Sequence, residues 1–258
     1  MNRLVSTLNT LKENCDKFLV AYLTGGVPDM KRTIEYVKAI EKGGADIIEI
    51  GVPFSDALAD GPINQEAALR AIRNGIRVDD IFKMTEEIHQ FSVIPVVFLI
   101  YYNTIFHYGQ ERFIKDCRKY GVDGLVIPDL PMEEREEIIE FINDYDICLI
   151  PLVAPNSRDR IASIVSGGAG FTYCVSSMGV TGERTKFRND IADYINSVKE
   201  ISNLPTAVGF GISDSKAASY FYRQADGIIV GSAIVKRIMD GCTPEELTFF
   251  IKTLKYSN

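Results

Sequence analysis

Ile47-Ile48-Glu49-Ile50-Gly51-Val52-Pro53-Phe54-Ser55-Asp56-Ala57-Leu58-Ala59-Asp60-Gly61-Pro62 reads as a buried strand running into a loop. Its first half is apolar and β-branched, the composition of a strand in a packed core. One carboxylate, Glu49, stands inside it. Removing a charge from water is costly, so a glutamate at this place calls for a reason. Burial raises a carboxyl pKa, which suits proton transfer near neutral pH; a structural ion pair is the competing role. The Gly/Pro-punctuated loop adds Asp56 and Asp60. Each of these acids fits a turn or helix cap as well as a reactive site.

Outward from this segment, short β-branched runs recur. They are Phe18–Thr24, Ala45–Val52, Ile94–Tyr101, Gly124–Asp129, Cys148–Ala154, Phe171–Ser176, Thr206–Gly211 and Gly227–Ala233. Helical signals lie between them. Asp29–Lys42 spaces Met30, Ile34, Val37 and Ile40 on one face and ends at Gly43-Gly44. Met132–Tyr145 follows Pro131 and opens with Glu133, Glu134, Glu136 and Glu137, acids that favour a helix N-terminus. Asp190–Ile201 and Ser213–Arg223 repeat the pattern. Strands alternating with helices pair in parallel. Eight such units in 258 residues predict a (β/α)8 TIM barrel of the α/β class. A doubly wound sheet is the rival, but Thr24-Gly25-Gly26-Val27-Pro28 lacks the G-x-G-x-x-G spacing of a dinucleotide loop. An extra N-terminal helix over Val5–Asn14 and a last helix after Thr243-Pro244 close the ends. No linker or composition break divides residues 1–258, which read as one barrel domain.

Composition narrows the partners. The net charge of −7 argues against nucleic acid and anionic membranes, and no apolar run reaches the ~20 residues of a membrane span. Met1 to Lys17 is polar and unlike a signal peptide. The five cysteines are scattered and form no CxxC pair, the usage of a reduced, cytoplasmic protein. With only His89 and His107 present, no metal site is expected.

Two further constellations fall at strand ends, where barrels of this kind place their reactive groups. Ser176-Ser177-Met178-Gly179-Val180-Thr181-Gly182, Gly209-Phe210-Gly211-Ile212-Ser213 and Gly231-Ser232-Ala233 follow the last three strands. Glycines let backbone N–H groups approach an anion, and a helix N-terminus adds its dipole, so a phosphate site is expected here. Tyr22, Leu99, Tyr101, Tyr173 and Phe210 are placed to line a slot for a flat apolar ligand, with core packing as the alternative.

These residues resemble the tryptophan synthase alpha chain family from Phe18 to Lys236. Glu49 to Gln65 is similar to that family's signature E-[IL]-G-[VI]-P-F-S-D-x-x-A-D-G-P-x-x-Q. Tyr173 with Gly179-Val180-Thr181-Gly182, then Gly209 to Ser213, Asp129-Leu130-Pro131 and Gly231 to Val235 match later motifs in the same order. The resemblance implies a (β/α)8 lyase that splits indole-3-glycerol phosphate into indole and glyceraldehyde 3-phosphate, with no cofactor of its own. It assigns catalysis to Glu49, as proton donor and acceptor, and to Asp60, which stays ionised near the indole N–H. It places the phosphate on N–H groups of Gly182, Gly211, Gly231 and Ser232, and the indole between Tyr22, Leu99, Tyr173 and Phe210. A closing loop would bring Thr181 onto Asp60. It further implies an alpha2-beta2 heterotetramer in which the beta chain carries pyridoxal phosphate and receives indole through a tunnel. The loop around Asp56 and the segment after the first strand would form the contact. Val27, Ala57 and Glu183 depart from the family pattern there, where Asp, Pro and a small or apolar residue are usual. None of them removes an acid or a phosphate glycine; they bear on partner affinity and loop closure. A free-standing lyase and a non-catalytic regulatory subunit are the alternatives.

Overall fold

The computed structural model describes residues 2–175, 184–209 and 211–257, with backbone only for 184–190. Among the described residues nine strand segments, all parallel, form one sheet: β1 (Phe18–Thr24), β2 (Ile47–Gly51), β3 (Val96–Leu99), β4 (Gly124–Val126), β5 (Cys148–Leu149), β6 (Leu152–Val153), β7 (Thr172–Val175), β8 (Thr206–Gly209) and β9 (Gly227–Val230). The spatial order is β5-β4-β3-β2-β1-β9-β8-β7-β6. β5 and β6 are one barrel strand interrupted at Ile150-Pro151, because proline has no N–H for the ladder. The ladder still closes. Ile150 N donates to Leu125 O at 2.9 Å on one side, and Pro151 O accepts from Tyr173 N at 2.9 Å on the other. The result is the eight-stranded barrel expected, with its fifth strand split.

Helices cover the outside. Asp29 caps Met30–Lys42 by accepting from Arg32 N at 2.8 Å, and Thr243 with Glu246 forms a capping box on Pro244–Lys255. The segment expected to be one helix over Met132–Tyr145 is two pieces, a 3-10 turn at Met132–Glu134 and a helix at Glu136–Asp144.

Two apolar layers result. The outer one lies between sheet and helices. The inner one fills the barrel with Phe18, Val20, Ile47, Val97, Val126, Ile150, Phe171, Tyr173 and Ile229. Leu4 and Leu8 of the helix Arg3–Glu13 join it and plug the end where the strands begin. Each buried leucine contributes about 1.5–3 kcal/mol by leaving water.

That closed end is fastened by one device used three times. Asp46 Oδ2 accepts from Leu19 N at 2.7 Å, Asp123 Oδ2 from Val96 N at 2.9 Å, and Asp226 Oδ2 from Thr206 N at 2.9 Å. Each of these aspartates donates its own N–H back to the carbonyl of the same residue. Each also meets a cation from a helix: Lys255 at 2.6 Å, Arg3 at 3.1 Å and Lys199 at 3.1 Å. Asn2 completes the floor. Its Oδ1 accepts from Leu4 N at 2.9 Å, and its Nδ2 donates to Asp123 O and Asp146 O at 2.8 Å each.

Replacing Asn2 by alanine removes a helix cap and takes from Asp146 O its donor, while Asp123 O keeps Cys148 N. A loss of about 2–4 kcal/mol is expected, read as a lower urea midpoint at unchanged slope.

Candidate active site

Glu49 points into the barrel, level with Tyr22 of β1 and Val97 of β3. Its side chain is sealed, with the residue 1% exposed, and neither carboxyl oxygen has a hydrogen-bond partner. Among the described residues it forms no ion pair, so a structural salt bridge to them is not what holds it. Burial, and then the charge of Asp60, push its pKa up to about 8 from an ordinary 4.5. The carboxyl is therefore neutral over most of the range below that value.

Asp60 lies in the loop after β2. Burial raises the Asp60 pKa as well, and two donors hold the rise back. Tyr101 Oη donates to Asp60 Oδ2 at 3.0 Å, and the Asn64 amide bonds the same carboxylate. A cap role is not seen. The helix Pro62–Arg73 has Gly61 as its N-cap and no side-chain cap bond. The loop itself is held from within. Tyr101 Oη accepts from Ala59 N at 3.0 Å, Tyr101 stacks on Phe54 at 5.0 Å, and Gln65 Nε2 donates to Ala57 O and Asp60 O. This gives Gln65, the last residue of the motif, a physical task.

The open end of the barrel holds a cavity of about 240 Å³. Tyr22, Asp60, Leu99, Tyr173, Gly211, Gly231 and Ser232 line it, as the strand-end reading expects. Gly231 is the N-cap of the helix Ser232–Met239, so that helix begins at the cavity wall. Two inward glycines make room for the aromatic rings. A β-carbon at Gly51 would meet Tyr22 Cε2 at 2.8 Å, and one at Gly209 would meet Tyr173 Oη at 2.5 Å. Burial, joined by the Glu49 and Asp60 charges, pushes the Tyr22 and Tyr173 hydroxyls well above their usual pKa, so both stay protonated.

Several expectations change. Tyr101 does not line the cavity; it holds the Asp60 loop instead. Val27 and Ala57 are buried, so neither presents a side chain to a partner. Asp56 is exposed on the loop, beside Leu58 at 88% exposure. Thr181, Gly182, Glu183 and Phe210 lie outside the described residues. Asn64 went unnoticed in the sequence, as did Ala59, Pro128, Leu152, Ala154, Val175, Ile212 and Ile229 in the cavity wall. Most of these are apolar residues with no mark to separate them from core. Among the described residues no cluster of three or more His, Cys, Asp or Glu side chains is arranged for a metal ion, and no helix is long and apolar enough to cross a membrane.

A parallel barrel with a sealed carboxyl and an open, aromatic-walled cavity at its strand ends has the frame of a (β/α)8-barrel enzyme. The family model for the tryptophan synthase alpha chain matches residues 8–253. The tryptophan synthase alpha chain of Thermoanaerobacter sp. (strain X514) is 47% identical over 253 residues, covering 98% of this chain and 97% of the relative. That of Alkaliphilus metalliredigens (strain QYMF) is 43% identical over 258 residues, covering 98% and 97%. The crystal structure of tryptophan synthase subunit alpha from Legionella pneumophila str. Paris superposes with a TM-score of 0.91 at 30% identity, over 100% of this chain and 98% of the other. A chain of tryptophan synthase from M. tuberculosis, in an aminoacrylate-bound form, gives 0.89 at 30% identity over 100% and 99%. The chain belongs to the tryptophan synthase alpha chain family, and its role is that of the alpha subunit. The two alternatives, a free-standing lyase and a non-catalytic subunit, are not favoured.

The raised pKa of Glu49 links stability to pH. The folded state binds this proton more tightly than the unfolded chain does. The contribution is fully present below pH 4.5 and is lost as pH rises through about 8. A Glu49→Gln variant lacks this loss. Urea unfolding at pH 6 and pH 9 should show the variant gaining on the parent as pH rises, with an upper slope of about 1.4 kcal/mol per pH unit.

Proposed function

We propose that this chain cleaves indole-3-glycerol phosphate to indole and glyceraldehyde 3-phosphate by a retro-aldol step, with Glu49 and Asp60 as the catalytic pair. The observation that carries the reading is the unpartnered Glu49 carboxyl, neutral near pH 7 and beside a second acid whose pKa rise on burial is held back by two donors.

Neutral Glu49 gives its proton to indole C3. The positive charge that results spreads to the ring nitrogen, where the Asp60 carboxylate stabilises it. Glu49, now a carboxylate, takes the proton of the hydroxyl next to the scissile bond. That bond breaks, its electron pair returns to the indole ring, and the aldehyde leaves. One proton in and one proton out restore the acid, so no cofactor is called for. Glu49 is not among the residues that line the cavity, so this mechanism requires its carboxyl to reach into the cavity when substrate binds.

Gly211, Gly231 and Ser232, with Gly182, bind the phosphate, and Tyr22, Leu99, Tyr173 and Phe210 flank the indole. Two of these, Tyr22 and Tyr173, are kept as neutral phenols that do not compete for the proton. Thr181 bonds Asp60 in the closed state. The partner is a tryptophan synthase beta chain, which carries the pyridoxal phosphate, in an alpha2-beta2 complex. The exposed Asp56 and Leu58 on the β2 loop belong to the contact, while buried Val27 and Ala57 act on it through packing alone. The chain works in the cytoplasm.

Indole release is measured for the purified chain with and without a beta chain. Weak activity that rises with the partner is expected. Strong activity with no rise would mean a free-standing lyase, and none in either case a regulatory subunit. Glu49→Gln should lose about 10²–10⁴-fold and Asp60→Asn about 10²–10³-fold. Full activity in Glu49→Gln would overturn the mechanism.

A further inference from the structure

Among the described residues four buried side-chain oxygens or nitrogens have no hydrogen-bond partner, and three of them are the carboxyl oxygens of Glu49 and the Oδ1 of Asn64. The fourth, Tyr222 Oη, lies on the outer helix Ser215–Tyr222, away from the cavity. Orphaned polar atoms are costly, so their concentration at one end of the barrel points to a ligand that satisfies them.

Asn64 lies in the first turn of the helix Pro62–Arg73 and lines the cavity. Its orientation follows from chemistry. The Asp60 carboxylate only accepts, and it is stabilised by a bond from Asn64, so Nδ2 faces Asp60. The opposite rotamer would set two oxygens against each other. Oδ1 is thereby left as a second acceptor at the same place, buried and unfilled.

We propose that Asn64 is a substrate-binding residue of this reaction, whose Oδ1 shares the indole N–H with the Asp60 carboxylate in a three-centre hydrogen bond. This rests on the lyase reading above. Protonation at C3 makes the ring N–H a stronger donor, so a neutral acceptor beside the charged one gains strength as the reaction proceeds. The same amide orients Asp60, which couples the two acceptors.

Asn64→Leu and Asn64→Ala are compared with the parent. The probe is 3-(indol-3-yl)propyl phosphate, a stable analogue with no glycerol hydroxyls, together with its N1-methyl derivative. Expected for Asn64→Leu are about tenfold weaker binding of the N–H probe and a matching loss in kcat/KM. The acid limb of the rate profile should move to higher pH as Asp60 loses a donor. The N1-methyl probe should bind parent and variant alike. Equal binding of the N–H probe by parent and both variants overturns the proposal, as does a loss that persists with the N1-methyl probe. If the parent cleaves indole-3-glycerol phosphate normally, such a failure falls on Asn64 alone. If the parent neither cleaves that substrate nor binds the probe, the lyase reading fails and this assignment with it.

Discussion

A carboxyl group with no partner, held inside a barrel of hydrocarbon, is the constraint on which this protein turns. Glu49 occupies a position that its neighbours along the inner layer fill with valine, isoleucine and phenylalanine. The interior favours its neutral form, which is the acid the proposed chemistry calls for. A single partnering cation would ease the burial and remove that acid. The site is thus defined by an interaction that is withheld, and the surrounding wall of glycine and aromatic side chains is built to withhold it.

Holding such a group demands a stiff surround. The two ends of the barrel divide this work. At the closed end, leucines of the first helix, Asn2 and three aspartates fix the strands to one another. At the open end the loop after β2 is fixed by Tyr101 and Gln65 from inside, which leaves its outer edge, with Asp56 and Leu58, free to meet another surface. Asp60 sits where these demands meet. Its backbone is bound by Gln65 and its carboxylate by Tyr101 and Asn64, so the second acid is placed without being neutralised by a cation.

Glu49 was legible in the sequence because a charge in a β-branched run has few explanations. The barrel was legible because strand and helix periods alternate along the whole chain. Other features were not. Tyr101 looks like any strand-end aromatic, and its task depends on a loop 41 positions earlier in the chain. Asn64 lies in a stretch whose helical pattern gives no reason to single out one polar residue. The break in the fifth strand turns on Pro151, which a run from Cys148 to Ala154 hides among apolar neighbours. Val27 and Ala57 read as surface changes because burial of a loop residue is a tertiary property. Aspartate before a strand reads as turn chemistry, and only the ladder reveals that Asp46, Asp123 and Asp226 do one job.

That shared job bears on how the chain can be rewired. Each aspartate ties the start of its own strand to the strand before it, and two of the three also hold the first and last helices through Arg3 and Lys255. A circular permutant that joins the native ends and opens the chain in a loop at the cavity end keeps all three ties. One opened just ahead of Asp46, Asp123 or Asp226 severs the chain at a tie, where the preceding residues Ala45, Val122 and Ala225 are buried. This barrel is therefore a plate with a rim, in which the rim can be recut and the plate cannot.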